Sequence, residues 1–119
     1  MSDVQIFHNP RCSKSRAALS AAADAGADVR IVDYLRTAPT RDELLAVLAI
    51  LEDAPSALVR RDAGFAHAGL TDADVHTAEQ VADVLAAHPE LMERPVLVRG
   101  NRAIIGRPTE RVAAFLADE

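Results

Sequence analysis

Val4-Gln5-Ile6-Phe7-His8-Asn9-Pro10-Arg11-Cys12-Ser13-Lys14-Ser15-Arg16 is the stretch on which the fold turns. Its first four residues form an apolar run that stops at His8-Asn9-Pro10, where proline lacks a ladder donor and pushes the residue before it away from helix. A strand followed by a loop is expected. From Ser13 to Ala25 the chain is Ala-rich and free of Gly and Pro, and Gly26 stands where a helix end favours a left-handed residue. The predicted helix therefore starts at Cys12. Val29 to Tyr34 alternates and carries β-branched residues, which predicts a second strand one helix away, the spacing of a parallel βαβ unit.

Further along, Thr40 lies three residues before Glu43, a capping box, and Leu44, Leu45, Val47, Leu48 and Leu51 follow at helical spacing. Between Asp53 and Pro89 no run reads as a strand. Pro55 to Arg61 predicts a short helix, Gly64 to Leu70 another turn or two, and Thr77-x-x-Gln80 caps a longer helix reaching Ala87. Val96-Leu97-Val98 and Ala103-Ile104-Ile105 then flank Arg99-Gly100-Asn101-Arg102, a turn-rich joint that predicts an antiparallel hairpin, and Pro108 opens a last helix. The order is βαβ, helical block, ββα. That predicts an α/β fold with a thioredoxin/glutaredoxin-like mixed sheet, one domain over residues 1–119 with a helical insertion at about 40–92.

The 119 residues suffice for one core and one main site. Half are hydrophobic and 26% are charged, a balance that buries a core and keeps the chain in solution. The net charge of -5 and the pI of about 5.3 disfavour nucleic acid and anionic lipid as partners, as do only four aromatic residues. No signal-like or membrane-length apolar run occurs in the sequence, and a lone cysteine cannot form an internal disulfide. A cytoplasmic protein is expected. His67, His76 and His88 share no metal spacing with one another or with Cys12, so no metal is expected.

A lone cysteine is commonly just a small buried hydrophobe, but Cys12 falls at a loop-to-helix junction. There its sulfur meets unpaired backbone N–H groups and the positive end of the helix dipole, both of which stabilise a thiolate. A free thiol with a pKa of about 8.5 is only a few per cent ionised at pH 7, and a downward shift of about 2 units makes the thiolate the majority. Lys14 and Arg16 add positive field, although exposed basic residues on a first turn are often only solvated. His8 favours the thiolate if it is protonated, and otherwise is a loop hydrogen-bonder. Ser15 sits one turn beyond Cys12, where its hydroxyl can donate to the sulfur or to an oxyanion.

The run H-N-P-x-C-x-x-S-R at residues 8–16 resembles the glutaredoxin-coupled arsenate reductases and their close relatives, as do Ala57-Leu58-Val59-Arg60, Glu93-Arg94-Pro95-Val96 and Ile105-Gly106-Arg107-Pro108. The resemblance extends over nearly the whole chain. It implies a thioredoxin-like fold with a helical insert, Cys12 as the nucleophile toward arsenate, and Arg60, Arg94 and Arg107 as the arginines that hold the oxyanion. Spacing alone does not separate these arginines from surface ion-pairing ones, and Arg61 offers a register one residue away. The resemblance also implies no bound cofactor and an external thiol reductant, glutathione or an equivalent, with a glutaredoxin-like protein completing the cycle. Pro95, before the third strand, is expected to follow a cis peptide bond.

The chain departs from the best-matched reductases at Ser13-Lys14, where a small Gly-Thr pair is expected, and a larger residue at 13 can narrow the pocket. Two other readings stand beside arsenate reduction. One is a monothiol thiol-disulfide exchange enzyme acting through Cys12. The other is an Spx-like regulator that binds RNA polymerase, although its usual C-x-x-C switch is missing because position 15 is serine.

Overall fold

The computed structural model describes residues 4–117. Strand β1 (Val4–Phe7) leads through the His8–Arg11 loop into α1 (Ser13–Asp24), and β2 (Val29–Val32) follows. The strands run parallel with Val4 opposite Val29 and Phe7 opposite Val32. Hairpin strands β3 (Val96–Arg99) and β4 (Arg102–Ile105) complete a sheet of order β2-β1-β3-β4, with β3 antiparallel to both neighbours. The expected mixed sheet is therefore present.

Alternation sorts the strand residues onto two faces. Val4, Ile6, Leu97 and Ile104 point to one side, where they pack with Ala18 and Ala22 of α1 and with Val112, Phe115 and Leu116 of α5 (Glu110–Ala117). Phe7, Val96, Ala103 and Ile105 point to the other, against α2 (Arg41–Ile50), α4 (Ala78–Ala87) and the segments between them. The capping boxes at Thr40/Glu43 and Thr77/Gln80 are both formed, each threonine oxygen accepting from the backbone N–H three residues on.

The middle of the chain differs from an all-helical block. Besides α3 (Ala63–His67) and 3-10 turns at Pro55–Leu58, Asp72–Val75 and Pro89–Leu91, it contains an antiparallel bridge between Val59 and Met92. Arg60 N–H donates to Leu91 O at 2.8 Å and Glu93 N–H to Leu58 O at 2.7 Å. Such a pairing joins two single residues far apart in sequence, so it leaves no periodic signal. The bridge brings Arg60 within 4.0 Å of Glu93.

Two element ends also differ from expectation. β2 stops at Val32, because Asp33 O accepts from Arg36 and Thr37 N–H in a turn and Tyr34 leaves the sheet for the core. α5 starts at Glu110, since residues 108–112 first close with bonds from Arg111 N–H to Pro108 O and from Val112 N–H to Thr109 O. Both Arg94-Pro95, as expected, and Arg107-Pro108 are cis.

Candidate active site

The loop before α1 is tied down by its own residues. Asn9 Oδ1 accepts from Arg11 N–H at 3.0 Å, Asn9 O from Cys12 N–H at 3.0 Å, and Ser15 Oγ from Asn9 N–H at 3.2 Å. Arg16 Nη1 reaches back to Pro10 O at 2.8 Å. Ser15 and Arg16 thus brace the loop. Cys12 is the N-cap residue of α1, in extended backbone conformation and buried, with no acidic residue in the first turn. Ser13 and Lys14 are exposed on that turn.

Burial, the largest influence on the Cys12 thiol, raises its pKa, but the opposing influences together win and the net shift is downward. They are the backbone N–H groups of Ser15 and Lys14 at the helix start and the Arg94 guanidinium, through a hydrogen bond and its charge. The thiol therefore ionises more readily than an ordinary cysteine. His8 is buried as well, and desolvation lowers its pKa, with Arg16 pushing the same way against the opposing pull of Asp33. Burial thus disfavours the protonated form that would have helped the thiolate.

Two of the three arginines of the resemblance, Arg94 and Arg107, reach the sulfur, and Arg60 joins them through Glu93. Arg107 Nη2 lies 3.5 Å from Cys12 Sγ, and its Nε donates to Arg94 O at 2.7 Å. Glu93 stands among them: its Oε1 accepts from Arg94 N–H at 3.1 Å and lies 3.4 Å from Arg107 Nε and 4.0 Å from Arg60 Nε. Arg61 is engaged elsewhere, with Asp72 at 3.0 Å, Ser56 O, Val59 O and the Phe65 ring. Arg60 is the one held at the cluster. Buried Pro95 places Arg94 at this end of β3 and accepts from Gly106 N–H at 2.8 Å, which fixes the start of the Arg107 segment.

Three buried side-chain atoms among the described residues lack a hydrogen-bond partner: His8 Nδ1, Tyr34 Oη and Arg94 Nε. His8 and Tyr34 follow the paired C-terminal ends of β1 and β2, so both lie at the same end of the sheet. Burial raises the Tyr34 pKa, and charges on Arg94, Cys12, Arg60 and Glu93 all act on it. Its hydroxyl therefore stays protonated, within electrostatic reach of the Cys12 thiol. Orphaned polar atoms are costly and rare in a core, and two of these three, on Tyr34 and Arg94, belong to residues that interact with the Cys12 thiol. Sequence reading assigned no role to Tyr34 or Glu93. Tyr34 was visible only as a strand residue, and Glu93 only as a letter in the Glu93-Arg94-Pro95-Val96 block.

Asp53 and Arg111 were also missed. Asp53 accepts from Ile105 N–H at 3.0 Å and from Arg111 Nη1 at 2.9 Å, and Arg111 donates to Ile105 O at 2.9 Å. This knot holds the chain just before Arg107. A groove of about 430 Å³ lined by Asn9, Pro10, Arg11, Asp33, Leu35 and Arg36 flanks the Cys12 loop. Among the described residues no group of His, Cys, Asp and Glu is arranged to hold a metal, and no helix is long and apolar enough to cross a membrane.

Comparison with known proteins identifies a family and relatives of known fold. The ArsC family model matches residues 7–115. An arsenate reductase of Neisseria meningitidis is 37% identical over 118 residues, 98% of this chain and all of that protein. One from Escherichia coli is 35% identical over 119 residues, 99% of this chain and 84% of that protein. The solved structure of an arsenate reductase from Vibrio cholerae superposes with a TM-score of 0.84 at 32% identity, covering 95% of this chain and 97% of that one. The thioredoxin-like fold is shared with it.

Proposed function

This chain belongs to the ArsC family, and we propose that it reduces arsenate to arsenite, with Cys12 as nucleophile and Arg60, Arg94 and Arg107 as the oxyanion receptor. The observation that carries the reading is the Cys12 sulfur itself, seated at a helix start with Arg107 at 3.5 Å and its thiolate favoured by Arg94. A tetrahedral oxyanion needs several fixed donors, and the planar guanidinium fork supplies two at a time.

The thiolate attacks As(V) and an arsenate oxygen leaves as hydroxide or water, giving a thiol-arsenate adduct whose charge the arginines stabilise. Cys12 has no partner cysteine in the chain, so the two electrons come from outside. Two external thiols, glutathione or an equivalent and then a glutaredoxin-like protein, join in a disulfide as arsenic passes to As(III). Water cleaves the remaining Cys12–As(III) bond, releasing arsenite and restoring the thiol. The chain supplies the site and carries no resident cofactor, and a reducing cytoplasm suits such a cycle.

The test is arsenate-dependent NADPH oxidation coupled to glutathione, its reductase and glutaredoxin. Wild type turns over, Cys12→Ser folds but is inactive, and Arg94→Ala loses at least about 100-fold in kcat/KM, the effect expected of removing one charge-stabilising donor. Arsenate-independent activity on glutathione mixed disulfides in place of this turnover overturns the reading in favour of thiol-disulfide exchange. Capture of RNA polymerase by a protein without arsenate turnover overturns it in favour of a regulator.

A further inference from the structure

Glu93 is out of place in a site built to receive an anion. Its carboxylate lies 3.4 Å from Arg107 Nε, and the same guanidinium reaches to 3.5 Å from the Cys12 sulfur. The backbone on both sides of it is fixed, because Glu93 N–H donates to Leu58 O at 2.7 Å and Arg94 N–H to Glu93 Oε1 at 3.1 Å. Its side chain is largely shielded, 23% exposed. Asp62, the other acid at the cluster, pairs with Arg60 at 3.2 Å but spends its second oxygen on the cap of α3. Among the acids of the described residues, Glu93 has an oxygen within 4.0 Å of both Arg60 and Arg107.

An ionised carboxylate only accepts hydrogen bonds. An incoming oxyanion that fills the arginine cluster must set one of its oxygens near Glu93 Oε1. If that oxygen bears a proton, it donates a short charge-assisted bond; if it is bare, two like charges face each other in a shielded place. We propose that Glu93 is a specificity-determining residue of this site, making the arginine cluster select tetrahedral oxyanions that retain a proton at neutral pH over those that do not. Arsenate and phosphate belong to the first class and sulfate to the second. The principle is selection by repulsion as well as by attraction. The inference rests on the site proposed above and adds to it a filter that works before any chemistry.

Protection of Cys12 from iodoacetamide tests it without requiring turnover. The concentrations of phosphate and of sulfate that halve each protein's own alkylation rate are measured at pH 7 and constant ionic strength, for wild type and Glu93→Gln. Wild type is protected by phosphate at a concentration at least about tenfold lower than by sulfate, a difference equivalent to roughly 1.4 kcal/mol. In Glu93→Gln sulfate gains at least about tenfold while phosphate changes less, so that the preference collapses. Glu93→Asp, which keeps the charge, retains a preference for phosphate and serves as the readout if circular dichroism shows the glutamine variant unfolded. An unchanged sulfate-to-phosphate ratio in the folded variant overturns the role of Glu93 and leaves the arginine site standing. Failure of both anions to protect wild type overturns the site and the filter together.

Discussion

At Cys12 two opposing influences meet, and their balance is measurable. Burial raises the thiol's pKa while the helix start and Arg94 lower it, with the lowering in excess. Alkylation of wild type therefore reaches half its maximal rate at a pH below that of an ordinary thiol, about 8.5. Arg94→Ala removes a stabilising charge from the thiolate and moves that midpoint to higher pH. An unmoved midpoint would show that the helix start alone is responsible. Tyr34 gives a second prediction. A buried hydroxyl left unpaired costs about 1–3 kcal/mol, so Tyr34→Phe is expected to hold or raise the urea midpoint while arsenate turnover falls, because the hydroxyl's partner arrives with the substrate. Loss of stability without loss of turnover would contradict this. Cys12 could be picked out of the sequence since its helix-start position is a local property. Tyr34 and Glu93 could not, because what they do depends on residues brought near them by the fold.

Among the elements, the short segment from Ile105 to Arg107 carries more constraint than its length suggests. A Cβ on Gly106 would lie 2.9 Å from both Leu97 Cδ1 and Pro95 Cγ, and 3.1 Å from Val112 Cγ2. Gly106→Ala therefore overpacks the junction of β3, β4 and α5, with an expected cost of about 1–3 kcal/mol read as a lowered urea midpoint. Asp53 also grips this segment, through Ile105 N–H and Arg111. Asp53→Ala is expected to destabilise by roughly 1–3 kcal/mol and to raise KM for arsenate, since Arg107 loses its foundation. A variant with normal KM would separate this knot from the site. The helices were legible wherever a cap announced them, as at Thr40 and Thr77. The Val59–Met92 bridge and the Asp53–Arg111 pair were not, since each joins residues with no shared local pattern.

For the whole molecule, the acidic net charge and the anion-binding proposal are compatible because they act over different distances. Charges beyond about 10 Å are screened at 0.1 M salt, while the guanidiniums around Cys12 act within hydrogen-bonding reach. The parallel β1–β2 unit and the β3–β4 hairpin were readable from strand and helix spacing, whereas the antiparallel β1–β3 pairing that joins them and the placement of the middle segment over one face followed from packing that no single stretch encodes. The nucleophile and its arginines belong to different parts of that assembly, so unfolding in urea is expected to return the Cys12 midpoint toward about 8.5, which pH-dependent alkylation reads directly. A low midpoint that persists in urea would place its cause in the local sequence.

The Arg107–Cys12 contact joins positions 95 residues apart. During synthesis Cys12 leaves the ribosome well before Arg107, so the nascent chain carries the thiol before it carries the guanidinium that comes to lie beside it. The thiol and this guanidinium meet only once the intervening sheet and helices are in place, so their contact reports on the folded chain and not on its N-terminal stretch.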